Sequence, residues 1–224
     1  MFPATRQSVL VALRSESAEE RSRAFGVLAE GYWRPVQAYV RVRWQLSPDD
    51  ADDATQSFFA RALTAGLLDR YDPARARFRT YLRVCIDGHV ANEHAAATRV
   101  KRGGGAEMVS LDAVAVAVDA DACFEREWAR AVCEDALAEL RRRLEDRGRA
   151  VVFAVFQRYD VEAGDRPTYQ QLADEFGIAG TQVTNYLAAA RREFRAIVLD
   201  RLRTLTASDA ELRDDVRALL GVDP

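Results

Sequence analysis

Four of the five residues from 49 to 53 are aspartates. They follow Ser47 and Pro48, a pair typical of a helix start, because the serine hydroxyl accepts a backbone N–H and proline fits the first helical position. Acidic side chains at that end are stabilised by the helix dipole, by about 0.3–1 kcal/mol each. Four acids exceed what capping needs, so an exposed acidic face that docks a basic partner is an equally good interpretation.

Positive charge is concentrated further along the chain. Residues 70–102 hold eight basic and three acidic residues, although the whole chain has a net charge of −3. Three aromatic residues, Tyr71, Phe78 and Tyr81, are interleaved with the arginines. Basic and aromatic side chains together suit single-stranded DNA, because bases stack on rings and phosphates meet arginines. The alternative is that the rings belong to the core and the arginines form a solvated face.

The stretch from Thr168 to Leu187 has the pattern of a helix-turn-helix. Thr168 and Gln171 predict a capping box, and Gly177 lies where the turn needs a positive φ. The second helix of such a motif enters the major groove, and base or phosphate contacts are expected from its exposed side. The predicted contacts are Thr181, Gln182, Thr184, Asn185, Arg191, Arg192 and Arg195. The alternative is a three-helix packing unit that touches no DNA.

Residues suited to catalysis or metal binding are scarce. The two histidines, His89 and His94, are five residues apart, which places them roughly 140° apart on a helix. With Glu93 they therefore cannot easily share a metal. The three cysteines include no C-x-x-C pair and indicate neither a disulfide framework nor a zinc site. We predict a protein that is not an enzyme and binds no metal or cofactor, since a helical enzyme using Asp52, Asp53 and the histidines fails on geometry.

Membrane insertion is not expected. The longest uninterrupted apolar run, 113–118, has about six residues, whereas a membrane-spanning helix needs about 20. The N-terminus lacks the basic start and long apolar stretch of a signal peptide. We therefore expect a cytoplasmic protein.

The elements that must position these residues are helical almost throughout. Apolar residues recur at three- and four-residue spacing, and the one candidate strand, 113–118, has no partner strand. We predict an all-α fold of two small helical domains joined by a flexible linker. The first domain spans 17–102, the linker 103–124 and the second domain 125–200, followed by a C-terminal helical tail over 201–224.

Ser208 and Glu211 predict a capped helix within this tail. Apolar residues on one of its faces indicate that it packs against another part of the protein. The simplest interpretation is packing on the second domain. The alternative is a regulatory flap that covers the DNA-reading surface.

Three stretches together resemble the sigma-70 family, specifically the small extracytoplasmic-function (ECF) type of bacterial RNA polymerase sigma factor. Residues 50–61 resemble the core-polymerase-binding helix of sigma region 2. Residues 78–102 resemble the promoter-melting and −10-recognition helix, and residues 169–195 resemble the region 4 helix-turn-helix that reads the −35 element. Their order, and the linker between them, match the family's organisation.

The resemblance implies two partners, core RNA polymerase and promoter DNA, and an anti-sigma factor is an optional third. It implies that phosphoryl transfer belongs to the polymerase. The polymerase contacts that it implies are Asp50, Asp52, Asp53, Gln56 and Arg61. The −10 DNA contacts that it implies are Arg79, Tyr81, Arg83, Asn92, Arg99, Lys101 and Arg102, and the −35 contacts are those already named on the helix-turn-helix.

One departure from the family pattern lies within the −10 helix. Asp87 and Gly88 stand where the family usually has arginine and asparagine, which removes a positive charge and a base-reading amide. The competing hypothesis for the whole chain is a free-standing helix-turn-helix regulator, whose N-terminal helical domain senses a ligand or dimerises. Such a domain would require neither the acidic helix start nor the basic helix.

Overall fold

The computed structural model describes residues 9–101 and 111–221, and every regular element in these two ranges is helical. The predicted all-α class is confirmed. None of the helices in these ranges has the length and apolar character needed to cross a membrane. The α-helices are α1 Val9–Ala12, α2 Ala18–Arg43, α3 Pro48–Thr64, α4 Phe78–Lys101, α5 Leu111–Asp146, α6 Ala150–Phe156, α7 Tyr169–Phe176, α8 Gly180–Leu205 and α9 Asp209–Leu220.

The chain divides into two compact units. Unit 1 comprises residues 1–131 together with 203–224, and unit 2 comprises residues 132–202. The boundaries fall within α5 and α8, so each of these helices contributes residues to both units.

Unit 1 is built around an aromatic core. The Tyr32 ring lies 5.5 Å from the Phe78 ring and 6.3 Å from the Phe124 ring, measured between centroids. Phe58 of α3 and Leu82 of α4 are also fully buried. Helices α2, α3, α4 and α5 each contribute to this core, which fixes the direction of their opposite, exposed faces.

Unit 2 contains α6, α7 and most of α8, with a π-helical turn at Gln157–Val161. The predicted capping box is present at the start of α7, where the Gln171 backbone N donates to Thr168 Oγ1 at 3.2 Å and the Thr168 backbone N donates to Gln171 Oε1 at 2.8 Å. Gly177 ends α7 with φ of 62°, as predicted for the turn. Leu172, Val183 and other apolar residues at helical spacing are buried.

Two segments differ from expectation. Residues 111–124, predicted as part of the linker, are helical because α5 begins at Leu111. The physical reason is visible in Ala120, Phe124 and Trp128, which recur every four residues and are buried. The tail forms the expected helix, α9, with the Glu211 backbone N donating to Ser208 Oγ at 3.2 Å. It belongs to unit 1, not to unit 2, on which the simplest interpretation had placed it.

Candidate functional site

All the predicted polymerase contacts lie on the exposed face of α3. Ser47 caps this helix through a bond from the Asp50 backbone N at 3.2 Å, and Pro48 follows. Ala51, Phe58 and other apolar side chains of α3 point into the core. Because these buried residues are three and four positions apart, the residues between them face solvent. The exposed predicted residues are Asp50, Asp52, Asp53, Gln56 and Arg61.

The same face carries a hydrophobic residue that the sequence reasoning missed. Leu63 is 51% exposed and lies seven residues after Gln56, so the two side chains project in nearly the same direction. Asp52 accepts a hydrogen bond from Gln37 Nε2 at 3.1 Å, which orients its carboxylate. The seven-residue spacing was the signal that could have identified Leu63. The face therefore combines negative charge with an exposed apolar side chain.

A groove of about 490 Å³ borders this face between α3 and α4. Its charged lining is mostly acidic, with Asp50 and Asp53 from α3 and Glu93 from α4, beside the imidazole of His94. The opening thus extends the negative face of α3 onto α4.

His89 lies buried beside this groove. Its Nε2 is 3.1 Å from Ser57 Oγ and 3.3 Å from Glu93 Oε1, so the ring ties α3 to α4. Burial lowers the pKa of His89, and the positive charge of Arg61 lowers it further, although Glu93 opposes the shift. The ring is therefore neutral at physiological pH and acts as a polar part of the core. The His94 ring instead stacks on Trp44, with centroids 5.4 Å apart.

Arg79, a predicted −10 contact, is buried. Its side chain makes two hydrogen bonds to the Asp215 carboxylate, at 2.7 and 2.8 Å, and an ion pair with Glu125 at 2.9 Å. Its guanidinium carbon lies 3.9 Å from the centroid of the Trp128 ring. Burial is the largest influence and disfavours the charge, but the hydrogen bonds to Asp215 and the nearby negative groups together outweigh burial and hold the pKa of Arg79 above its ordinary value. In this conformation the Arg79 charge is paired inside unit 1 and does not face solvent, so the DNA contact at Arg79 stays a prediction.

Arg83, also predicted to contact DNA, is held by α5. Its Nη1 lies 2.8 Å from Glu125 Oε1 and its Nε lies 3.1 Å from Asp121 Oδ1. The guanidinium also lies over the Phe124 ring at 5.2 Å. In this conformation Arg83 binds α5 and is not directed at a phosphate.

The remaining predicted −10 residues are placed differently. The Tyr81 hydroxyl donates to the Leu67 carbonyl at 2.6 Å, and its ring lies 5.4 Å from the Tyr71 ring, so this side chain is half-buried. Asn92 is exposed on α4. The side chains of Arg99 and Lys101, and the whole of Arg102, lie outside the described residues.

Asp87, the departure from the family pattern, anchors the end of α2 to α4. Its carboxylate accepts from the Tyr39 hydroxyl at 3.0 Å and from Trp44 Nε1 at 3.1 Å. Arg43 adds an ion pair at 3.8 Å. Burial and the neighbouring Asp87 raise the pKa of Tyr39 well above its ordinary value. A carboxylate at this position therefore links α4 to the C-terminal end of α2.

Most of the residues predicted to contact duplex DNA lie on the exposed side of α8. Gln182 is an exception in part, because its Oε1 accepts from the Ala179 backbone N at 2.9 Å and so caps the helix. Arg191 is a second exception, because it forms two bonds with the Asp160 carboxylate, at 2.7 and 2.9 Å. Arg191 is therefore paired in this conformation, and its contact with phosphate stays a prediction. The exposed predicted residues here are Thr181, Gln182, Thr184, Asn185, Arg192 and Arg195.

One part of the chain matches the model of a known protein family. Residues 28–100 match the family model of Sigma-70 region 2. The matched stretch contains all of α3 and nearly all of α4, and it makes up about a third of the chain. Neither the curated proteins nor the solved structures gave a significant match. The likeness to Sigma-70 region 2 concerns these residues alone.

Proposed function

We propose that this protein is a sigma factor of the ECF type, which binds core RNA polymerase and directs it to promoters in the cytoplasm. The observation that carries the proposal is the match of residues 28–100 to Sigma-70 region 2, in which the predicted polymerase-binding residues share the exposed face of α3.

The α3 face fits a basic partner surface. Asp50, Asp52 and Asp53 are exposed at the helix start, where the capping function needs only Ser47. Exposed acidic side chains steer a positively charged partner into contact and fix the register of the complex. Leu63 supplies apolar area that binding removes from water.

In this conformation, unit 1 offers DNA fewer residues than the sequence indicated. Arg79 and Arg83 are paired with carboxylates, which leaves the exposed Asn92 and the ring of Tyr81 from the original set. Arg99, Lys101 and Arg102 complete that set by sequence alone. We expect weak binding of the −10 element by the isolated chain, since affinity for DNA depends strongly on phosphate neutralisation.

Unit 2 supplies the proposed −35 reader, with α7 and α8 as a helix-turn-helix. Asn185 is exposed on α8, and an asparagine amide pairs with adenine through two hydrogen bonds in the major groove. Arg192 and Arg195 follow on the same helix as exposed cations for phosphate. The weak −10 and −35 contacts become effective when the polymerase holds the chain on one promoter, because the second contact is then intramolecular.

Transcription in vitro tests the proposal directly. The full chain is mixed with bacterial core RNA polymerase and a library of promoter templates, and the transcripts are sequenced. We expect templates with a shared upstream motif to be transcribed only when the chain is present. Absence of transcription from every template would contradict the proposal. Tight binding of one duplex by the chain alone, without transcription, would favour the free-standing regulator.

A further inference from the structure

The C-terminal helix places two consecutive aspartates against the start of α4. Asp214 pairs with Arg77, and Asp215 makes two hydrogen bonds to Arg79, at 2.7 and 2.8 Å. All four residues belong to unit 1. Two neighbouring arginines of the basic segment are thus neutralised by residues nearly 140 positions later in the chain.

The helix that carries these aspartates is firmly seated. Val216 is fully buried, and Asp215 is only 2% exposed. Glu211 is buried as well and accepts from the Ala207 backbone N at 3.1 Å. Leu205, just before α9, lies over Gly31 of α2, close enough to touch a Cβ added there at 3.4 Å. The carboxylates are therefore held in place by packing, in addition to their charge.

We propose that α9 is an internal mimic of nucleic-acid backbone, and that Arg77 and Arg79 form a phosphate-binding pair which Asp214 and Asp215 occupy in the free protein. This inference rests on the proposed function, since the pair lies at the start of α4, the proposed −10 helix. The guanidinium fork donates hydrogen bonds to carboxylate and phosphate oxygens in the same geometry. Binding of promoter DNA then requires α9 to leave.

The geometry assigns different roles to the three arginines of this segment. Arg77 is 50% exposed and is paired with Asp214 alone among the described residues, so displacement of α9 frees it completely. Arg79 keeps Glu125 after α9 leaves and is freed in part. Arg83 is bound by α5 and is unaffected by α9. Displacement of α9 therefore makes one guanidinium, Arg77, fully available for phosphate and a second, Arg79, available in part.

Binding of a single strand in the absence of polymerase tests the inference. A fluorescein-labelled oligothymidylate is titrated with the full chain, and anisotropy is measured over a series of salt concentrations. The test variant is Asp214→Asn with Asp215→Asn. The control, Asp209→Asn with Glu16→Gln, removes the same charge from exposed positions that form no ion pair with any described residue. Circular dichroism and tryptophan emission verify that both variants are folded.

We expect the test variant to bind about tenfold more tightly than the control. The plot of log affinity against log salt should steepen by about 0.7 to 1.4, the change for one or two added phosphate contacts on a single strand. Adding Arg77→Gln to the test variant should remove most of this gain. A folded test variant that binds no more tightly than the control would overturn the inference.

If the double variant does not fold, a single substitution in the exposed Asp214–Arg77 pair tests the inference instead. Asp214→Asn alone frees Arg77, and we expect about fivefold tighter binding and a slope steeper by about 0.7 than with Asp209→Asn alone. Equal binding by these two single variants would again overturn the inference. Because no polymerase is present, a gain in strand binding without promoter-directed transcription would refute the proposed function and leave the inference standing.

Discussion

Replacing Asp215 by asparagine should lower the free energy of unfolding of unit 1 by about 3 kcal/mol. Asp215 is 2% exposed and Arg79 is 5% exposed, so the substitution leaves a buried guanidinium without its main counter-charge. Removing one partner of a buried ion pair typically costs about 3–5 kcal/mol. We expect the lower end here, because Glu125 remains at 2.9 Å from Arg79 and the asparagine oxygen can still accept one hydrogen bond.

The position of the tryptophans makes this loss measurable in unit 1 alone. All three, Trp33, Trp44 and Trp128, belong to unit 1, so their fluorescence during urea denaturation reports on that unit. Asp214→Asn is the matched control, because Asp214 is 46% exposed and its pair with Arg77 is worth about 1 kcal/mol or less.

Two results would refute this reasoning. Equal losses for Asp215→Asn and Asp214→Asn would show that burial does not set the cost. A further variant, Asp215→Leu with Arg79→Met, replaces the pair by apolar side chains and should recover much of the lost stability. If this variant is less stable than Asp215→Asn, the charge pair itself, and not the uncompensated charge, dominates.

Three further predictions concern other parts of the chain. Burial lowers the pKa of His89, so below about pH 6.5 the unfolded chain binds a proton that the folded chain does not bind. The contribution of neutral His89 to stability is therefore present above that pH and is lost as the pH falls. In urea titrations, His89→Gln should lose less stability than wild type between about pH 7 and about pH 5. Gly177→Ala should cost about 1 kcal/mol in thermal melts because φ is 62° there, whereas Gly180→Ala, in the first turn of α8, should cost nothing; equal effects would exclude backbone strain as the cause. Asn185→Ala should weaken transcription from a cognate promoter about 5- to 150-fold, the equivalent of about 1–3 kcal/mol, and Gln182→Ala should have a smaller effect because its amide oxygen caps α8; the reverse order would contradict the assignment.

Local patterns predicted the local structure well. The capping box at Thr168, the left-handed Gly177 and the serine cap of α3 depend on residues within three or four positions of one another, so the sequence alone contains their interactions. The exposed face of α3 follows from the spacing of its apolar residues for the same reason.

Interactions between distant residues could not be predicted. A count of charges over 70–102 indicated a free basic surface, but the partners of Arg79 and Arg83 lie on α5 and α9, 38 or more residues away. The charge of a segment does not reveal which of its side chains folding will neutralise. The structural role of Asp87 was not predictable for a similar reason, since its partners, Tyr39 of α2 and Trp44 directly after α2, lie more than 40 residues earlier in the chain.

Two differences had a signal that the sequence reasoning left unused. Ala120, Phe124 and Trp128 repeat every four residues, which indicates that a helix already runs through the predicted linker. Gln182 stands three residues after Ala179, the spacing of a side chain that caps a helix start and therefore gives up part of its capacity to read a base.

The affinity of the chain for core RNA polymerase tests the central claim most directly. Fluorescently labelled wild type is compared with Asp52→Arg/Asp53→Arg, and with Glu16→Arg as an exposed charge reversal outside α3. We predict that wild type and Glu16→Arg bind the polymerase equally, and that the α3 variant binds at least about tenfold more weakly, a loss of about 1.4 kcal/mol or more. Equal binding by all three chains, or no binding by wild type, would contradict the account.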